Sequence, residues 1–337
     1  MKKKLLLIVV ILLAAGAFCL FQIKHFAASH LTIREDTLFT LPAGTGRDGL
    51  KIALSKQHIV KRTRWLPGLW LVDPKLANFK AGTYRFTVGM TVRQMLELLV
   101  SGREAQFSIR FVEGSSLKDW LAILDQAPYL EHSLRDVALD QLASRLGESP
   151  STSLEGRFYP DTYLYTAKTQ DVALLKRAEQ RMDSILEQVW HDRAEGLPYK
   201  TPADLLTMAS IVEKETGEPD ERAKVASVFI NRLRLGMRLQ TDPTVIYGMG
   251  ERYRGTIGKQ DLITPTPYNT YVITGLPPTP IAMPGLAALD AAAHPAKTSY
   301  LYFVASGKGG HVFSNNLASH NRAVQQYRES VKENNGQ

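Results

Sequence analysis

Cysteine is almost missing from this chain. Cys19 is the only one in 337 residues, and it lies inside an apolar N-terminal run. The remainder has no thiol, which excludes an intrachain disulfide and a cysteine metal site. The eight histidines are scattered, with no His-x-x-x-His or comparable ligand spacing, so neither a metal nor another cofactor is expected. Basic runs are missing beyond the N-terminus. The formal charge is +8, Lys2, Lys3 and Lys4 supply three of it, and the remaining +5 is spread thinly. That distribution argues against nucleic acid as a partner and suits an anionic polymer or a membrane surface. Internal repeats and low-complexity tracts are also missing. With 44% hydrophobic and 22% charged residues, the composition is that of a globular protein, long enough for about two or three domains.

What the N-terminus does have is hydrophobic length. After the three lysines, Leu5 to Phe21 runs for seventeen residues without a polar side chain, and nineteen if Gln22 and Ile23 join. That reaches the lower limit for a transmembrane helix. The lysines should stay cytoplasmic, placing the rest across the membrane. A cleaved signal peptide is the rival, with Ala15 and Ala17 as a small-x-small site. Phe18, Cys19, Leu20 and Phe21 carry the apolar run past that site, which favours a retained anchor.

Residues 31–108 alternate strand-like stretches, "LFTLPAG", "GTYRF" and "QFSIRFVEG", with one amphipathic helix over 91–102. In that helix Thr91 is the expected N-cap, Val92, Met95, Leu96 and Leu99 the apolar face, and Gly102 the stop. Residues 115–200 read as mainly helical, interrupted by the aromatic-rich "LEGRFYPDTYLY", whose rings suit a core or a sugar-stacking wall. Two further helices are expected over 202–236, broken at Gly217 and Pro219. The last hundred residues are rich in turns, followed by the strand "SYLYFVAS" and the glycine turn "GKGG". Loops that long are commonly functional.

One stretch stands apart chemically. "MASIVEKETG" (208–217) sets Glu213 and Glu215 at the border of an otherwise apolar helical stripe. On a helical wheel Lys214 and Ser210 mark the polar pole, Glu215 falls between Met208 and Ile211, and Glu213 between Leu206 and Ala209. A carboxyl pressed against Met and Ile loses hydration, and its pKa rises. A general acid acting on a glycosidic oxygen needs that. A pair of solvated glutamates bridged to Arg222 or Lys224 fits the same pattern. The wheel separates the two only weakly.

The segments "ASIVEKE", "VASVFINRLRLGMRLQTDPTVIYG", "YNTY", "GLPPTPI", "HPA", "YLYFV" and "ASHN" occur in order over residues 200–337. Together they resemble the endolytic murein transglycosylases of the MltG/YceG-like family, and the likeness extends upstream through "LEGRFYPDTY" and "AGTYRF". The resemblance implies an α+β fold: cytoplasmic lysines and a transmembrane anchor over 1–24, a LysM-like α+β module over 25–110, a mainly helical connecting region over 111–200, and an α+β catalytic domain over 201–337. It implies a single-pass enzyme of the bacterial inner membrane with its catalytic part in the periplasm. Its substrate would be peptidoglycan glycan strands, with peptidoglycan synthases as partners. By the resemblance Glu215 is the catalytic residue. The departure from the family pattern is "AMPG" (282–285), where many members carry a polar residue at the position of Met283.

The other motifs would form a substrate cleft. Gln240, Thr241 and Asp242 offer amide, hydroxyl and carboxylate to sugar hydroxyls, and Asp242 could orient Glu215 or stabilise an oxocarbenium-like charge. Tyr247, Tyr268 and Tyr271 could stack on sugar faces. Asn231 suits an acetamide contact or a structural bond. Asn269 and Thr270 sit in a loop that could face ligand, and His320 and Asn321 precede the final helix, as ligand contacts or caps. Two rival functions share this cleft: a water-using muramidase with Glu215 and Asp242, and a non-catalytic peptidoglycan-binding scaffold.

Overall fold

The computed structural model describes residues 2–335 and is mixed α/β. Two units pack separately: residues 1–107 with 164–168, and residues 108–163 with 169–337.

The first unit begins with α1 (Lys2–Ala28), a helix apolar and long enough to cross a membrane. Its side chains are exposed through residue 21, whereas Ile23, Phe26 and Ala27 are buried in the unit's core. Strand β1 (Thr37–Leu41) is followed by α2 (Arg47–Lys56) and α3 (Leu66–Val72), then by β2 (Gly82–Phe86). The strands pair antiparallel with Phe39 opposite Tyr84, and the rings of Phe39 and Phe86 stack 5.2 Å apart. Helix α4 (Val92–Ser101) closes the unit. Thr91 and Gln94 form the capping box, and Gly102 ends the helix at φ +73°, the left-handed region that glycine enters without steric cost.

The chain passes between units at β3 (Phe107–Arg110) and again at β4 (Thr162–Tyr165). In the second unit, α5 (Leu117–Gln126) starts on a Ser116–Asp119 capping box. Then come α6 (Leu139–Leu146), α7 (Asp171–Asp192), α8 (Pro202–Glu215), α9 (Arg222–Arg234), α10 (Asp242–Met249), α11 (Lys259–Ile263), α12 (Leu286–Ala293), the antiparallel hairpin β5 (Tyr302–Ala305) and β6 (His311–Ser314), and α13 (Leu317–Asn335). The aromatic run around residue 160 is largely core: Phe158 meets Trp120 at a tilt, 5.8 Å away, Trp120 stacks on Phe111 at 3.7 Å, and Tyr163 is buried, as is Tyr165 in the first unit.

Helix α8 is the axis of this unit. Thr201 and Asp204 cap its start and Pro202 occupies the first turn, where a missing N–H costs nothing. From Leu205 to Val212 every residue is buried, because α7, α9, α10 and α12 pack around it. The expected polar pole is therefore wrong at Ser210. That side chain is fully buried, donates to the Thr207 carbonyl at 2.7 Å and accepts from the Ile281 N–H at 3.0 Å. The alanines of α12 leave room for close approach, and a helix enclosed on all sides has no solvent face for a wheel to find.

Candidate active site

Glu215 is the last residue of α8, and Thr216 turns extended after it. Its carboxyl therefore leaves the helix at an end, where the packing opens on one side and the residue keeps part of its surface exposed. The Thr241 hydroxyl donates to Glu215 Oε1 in a short hydrogen bond. Thr241 is itself immobilised: its N–H donates to Thr270 Oγ1 at 3.0 Å, and Thr244 Oγ1 lies 2.8 Å from Thr270 Oγ1 and donates to the Thr241 carbonyl at 2.7 Å. All three threonines are buried. A buried, mutually bonded set of hydroxyls holds a carboxyl in one orientation at little entropic cost.

Burial is the largest influence on Glu215 and pushes its pKa from 4.5 up to about 7. The Thr241 hydrogen bond opposes the rise, the Asp242 carboxylate adds to it, and His311 and Arg232 oppose it. Among the described residues Glu215 forms no ion pair. A pKa raised to that range suits a group that must give and take a proton near neutral pH, as general acid–base catalysis requires.

Glu213 has a different occupation. Its Oε2 accepts the Gly285 N–H at 2.9 Å, immediately before α12. A carboxylate there satisfies a free donor and complements the helix dipole. Glu113 crowds the same turn: a Cβ on Gly285 would lie 1.9 Å from Glu113 Oε1. Burial first and Glu113 next raise the Glu213 pKa, while the Gly285 bond opposes this. The tertiary contacts, not the wheel, distinguish the two glutamates.

Around Glu215 the structure brings together Gln240, Thr241, Asp242, Thr270 and Tyr271. Gln240 is exposed and held at φ +49°, an uncommon conformation for a side-chain-bearing residue. Asp242 is exposed at the first turn of α10 and accepts the Tyr271 hydroxyl at 2.6 Å. Burial, then Asp242, raises the Tyr271 pKa. At the far end of α10, Tyr247 meets Tyr268 edge to face at 4.7 Å, and the Tyr268 hydroxyl lies 2.7 Å from Thr279 Oγ1.

Several expectations fail on burial or geometry. Asn269 and Thr270 do not face outward from a loop: they are 1% and 0% exposed. The Asn269 amide donates to the carbonyls of Asp261, Leu262 and Thr264, so it serves to pin the loop. For Asn231 the structural alternative has its bonds: the amide donates to the carbonyls of Thr298 and Tyr300, at 2.9 and 3.0 Å. His320 and Asn321 do not precede the final helix but lie within its first turns. The capping acceptor is Asn316, which takes the Ser319 N–H at 2.9 Å. His320 stacks on Tyr302, and burial together with Arg232 lowers its pKa. Met283 is fully buried, and its backbone exchanges bonds with Gly114 and Ser115.

Three residues were not singled out from sequence. Arg232 is 8% exposed, donates to the carbonyls of Leu301 and Leu239, both at 2.7 Å, and lies over the Tyr302 ring. His311 Nδ1 lies 2.7 Å from Glu221 Oε2. Glu155 is 6% exposed, and its carboxyl accepts the Leu117 N–H at 3.0 Å and the Tyr247 hydroxyl at 3.3 Å. Burial pushes its pKa up to about 7. Glu155 and Tyr247 wall a cavity of about 720 Å³ with Leu117, Lys118, Ile246 and Glu251. Glu215 is not in its wall. Helix α10 joins the two regions, with Asp242 at one end and Tyr247 near the other. The signal for Glu155 was a carboxylate before a glycine inside an aromatic run. Only its burial makes it unusual. Among the described residues no three His, Cys, Asp or Glu side chains converge as a metal site would need.

One partly buried carboxyl, oriented by a threonine lattice and raised toward neutrality by burial, with exposed Gln240 and Asp242 and with Tyr271 beside it, has the features that a general acid–base site requires. The chain belongs to the YceG-like family, whose model matches residues 39–326. It is 32% identical over 315 residues to an endolytic murein transglycosylase of Bacillus subtilis, covering 87% of this chain and 85% of that protein. It is 33% identical over 180 residues to the endolytic murein transglycosylase of Streptococcus pneumoniae, covering 52% of this chain but 32% of that longer relative. A crystal structure of a YceG-like protein from Listeria monocytogenes aligns over 86% of this chain and 99% of its own, with 28% identity and a TM-score of 0.53.

Proposed function

We propose that this chain is an endolytic peptidoglycan lytic transglycosylase in which Glu215 acts as both acid and base. The supporting observation is the Glu215 carboxyl itself: held by Thr241, free of any ion pair among the described residues, and raised to about 7 by burial. The protonated carboxyl gives its proton to the oxygen bridging N-acetylmuramic acid and N-acetylglucosamine. The C1–O bond breaks, and positive charge develops on the muramyl ring. The resulting carboxylate then takes the proton of the muramyl 6-hydroxyl as that oxygen bonds to C1. A 1,6-anhydro ring forms and Glu215 ends protonated. No water enters, so the second carboxylate of a hydrolytic pair is unnecessary.

Asp242, exposed beside Glu215 and oriented by Tyr271, stabilises the developing positive charge. Gln240, Tyr271, Tyr247 and Tyr268 contact the glycan, and the cavity walled by Glu155 and Tyr247 extends the cleft. The catalytic machinery lies in residues 201–337, with residues 111–200 contributing Glu155. Residues 25–110 form a LysM-like module, supported by two antiparallel strands with helices between them. Helix α1 anchors the chain in the bacterial inner membrane as a single span, with the remainder in the periplasm beside glycan and the synthases that extend it.

The test is digestion of peptide-free glycan by the full chain in detergent, read by mass spectrometry in labelled water. Muramyl ends one water lighter than hydrolysed ends, with a broad spread of early fragment lengths, are expected. Reducing ends carrying heavy oxygen would assign the site to a muramidase, and unchanged glycan with a folded chain would leave a scaffold.

A further inference from the structure

The first unit holds a cavity of about 250 Å³ that the catalytic reading does not use. Its walls include Gln22, His25, His30, Lys61, Arg62 and Trp65. Lys61 and Arg62 are exposed, and among the described residues neither forms an ion pair. Arg64 adds a third cation to the same segment, 5.9 Å from the Trp65 ring.

Helix arithmetic sets the depth of this cavity. Leu5 to Phe21 covers ~26 Å at ~1.5 Å per residue, close to the ~30 Å hydrocarbon core of a bilayer. Residues 22–28 continue the same helix for a further ~10 Å, which spans the headgroup layer. Ile23, Phe26 and Ala27 are buried in the unit's core, and a Cβ on Gly68 would lie 2.9 Å from Ile23 Cδ1. The helix thus enters the unit without a hinge. Gln22 and His25 begin within one turn of the last apolar residue, so the cavity lies at headgroup depth. Tryptophan favours that layer, and unpaired Lys and Arg there attract anionic lipid. Helix α3, packed on α1, leaves Leu71 83% exposed, an apolar side chain suited to the same boundary.

We propose that this cavity binds the phosphate ester of an anionic phospholipid, in the leaflet opposite the three N-terminal lysines. The inference rests on α1 being a retained anchor and is independent of the glycan chemistry. The ligand chemistry is a phosphate group with net negative charge, which an anionic phospholipid headgroup and inorganic phosphate share and zwitterionic phosphatidylcholine lacks.

The full chain in detergent is offered phosphatidylglycerol or phosphatidylcholine, and bound lipid is counted by native mass spectrometry. Lys61→Ala with Arg62→Ala is compared with a charge-matched pair elsewhere in the unit, Lys51→Ala with Lys56→Ala. Lipid held by Lys2, Lys3 and Lys4 is common to all and cancels in the differences. Phosphatidylglycerol should be preferred, and the Lys61/Arg62 pair should weaken one bound lipid about thirtyfold, on the scale of ~1 kcal/mol per cation. The control pair should leave that lipid in place. Lys56, Lys61 and Arg62 are exposed, and Lys51 is half-buried in a surface pair with Asp48 at 3.8 Å that contributes little, so the melting temperature should hardly change. Equal retention of both lipids, or equal loss in both variant pairs, would overturn the site. Displacement of the lipid by inorganic phosphate at similar concentration would make it a free-anion site. A chain that stays in solution without detergent would remove the anchor on which the inference depends.

Discussion

Replacing Glu215 with Gln should inactivate the enzyme and, above neutral pH, make it more stable. The folded carboxyl titrates at about 7 and the unfolded one near 4.5. Below pH 4.5 both states are protonated, and Glu215 imposes no penalty. Between 4.5 and 7 the folded state retains a proton that the unfolded state has lost, so stability falls as pH rises. Above 7 the loss is complete. The difference corresponds to ~3 kcal/mol at ~1.4 kcal/mol per pH unit, an upper bound because Glu215 keeps part of its surface open to solvent. Gln is never charged, and its amide oxygen can still accept the Thr241 hydroxyl. Taking ~2 kcal/mol after discount, the variant should melt about 6 °C higher than the parent at pH 8, relative to their difference at pH 4. Its lytic activity should fall at least about a hundredfold, the lower end for an acid–base residue. Circular-dichroism melts across that pH range, paired with anhydro-muropeptide release, test both. An unchanged pH dependence of the melting difference would refute the buried-carboxyl argument, and retained activity would refute the assignment.

Thr241→Val removes the bond that favours the charged carboxylate, so the Glu215 pKa should rise and the falling alkaline limb of kcat/KM should move to higher pH. A pH–rate profile unmoved by this change would deny Thr241 its role. Glu213→Gln keeps an acceptor for the Gly285 N–H and loses only the charge at the α12 N-terminus, so stability should change by less than ~1 kcal/mol and activity far less than in Glu215→Gln. Urea melts and rates on both variants check it, and a more damaging Glu213→Gln in a folded protein would reverse the assignment. Gly156 sits at φ +79° with Pro280 Cβ only 2.4 Å from where an alanine Cβ would stand, so Gly156→Ala should cost ~2–4 kcal/mol by urea unfolding.

Local pattern was enough wherever the deciding neighbours lie within a few residues. The Thr91 cap, the apolar face of α4 and its Gly102 stop are set by contacts three or four positions apart, as are the ends of α8. The N-terminal apolar run likewise carries its length in its composition, and the ordered motifs identified the family. What lay outside the reach of pattern was every decision made by a distant segment. A wheel gives the direction in which a side chain leaves its helix but not what waits there. Ser210 reads as solvent-facing, yet Ile281 covers it. Glu213 and Glu215 read almost alike, yet Gly285, 72 residues on, takes one and Thr241, 26 residues on, takes the other. Asn269 reads as a loop residue, and three carbonyls bury it. Glu155 reads as a polar residue in an aromatic run, and packing against Leu117 and Tyr247 strips its water and raises its pKa. Sequence alone thus determined which elements form and which carboxylates were candidates. Tertiary packing decided which carboxyl stays unpaired and short of water, because desolvation depends on everything around a group and on very little of what precedes or follows it in the chain.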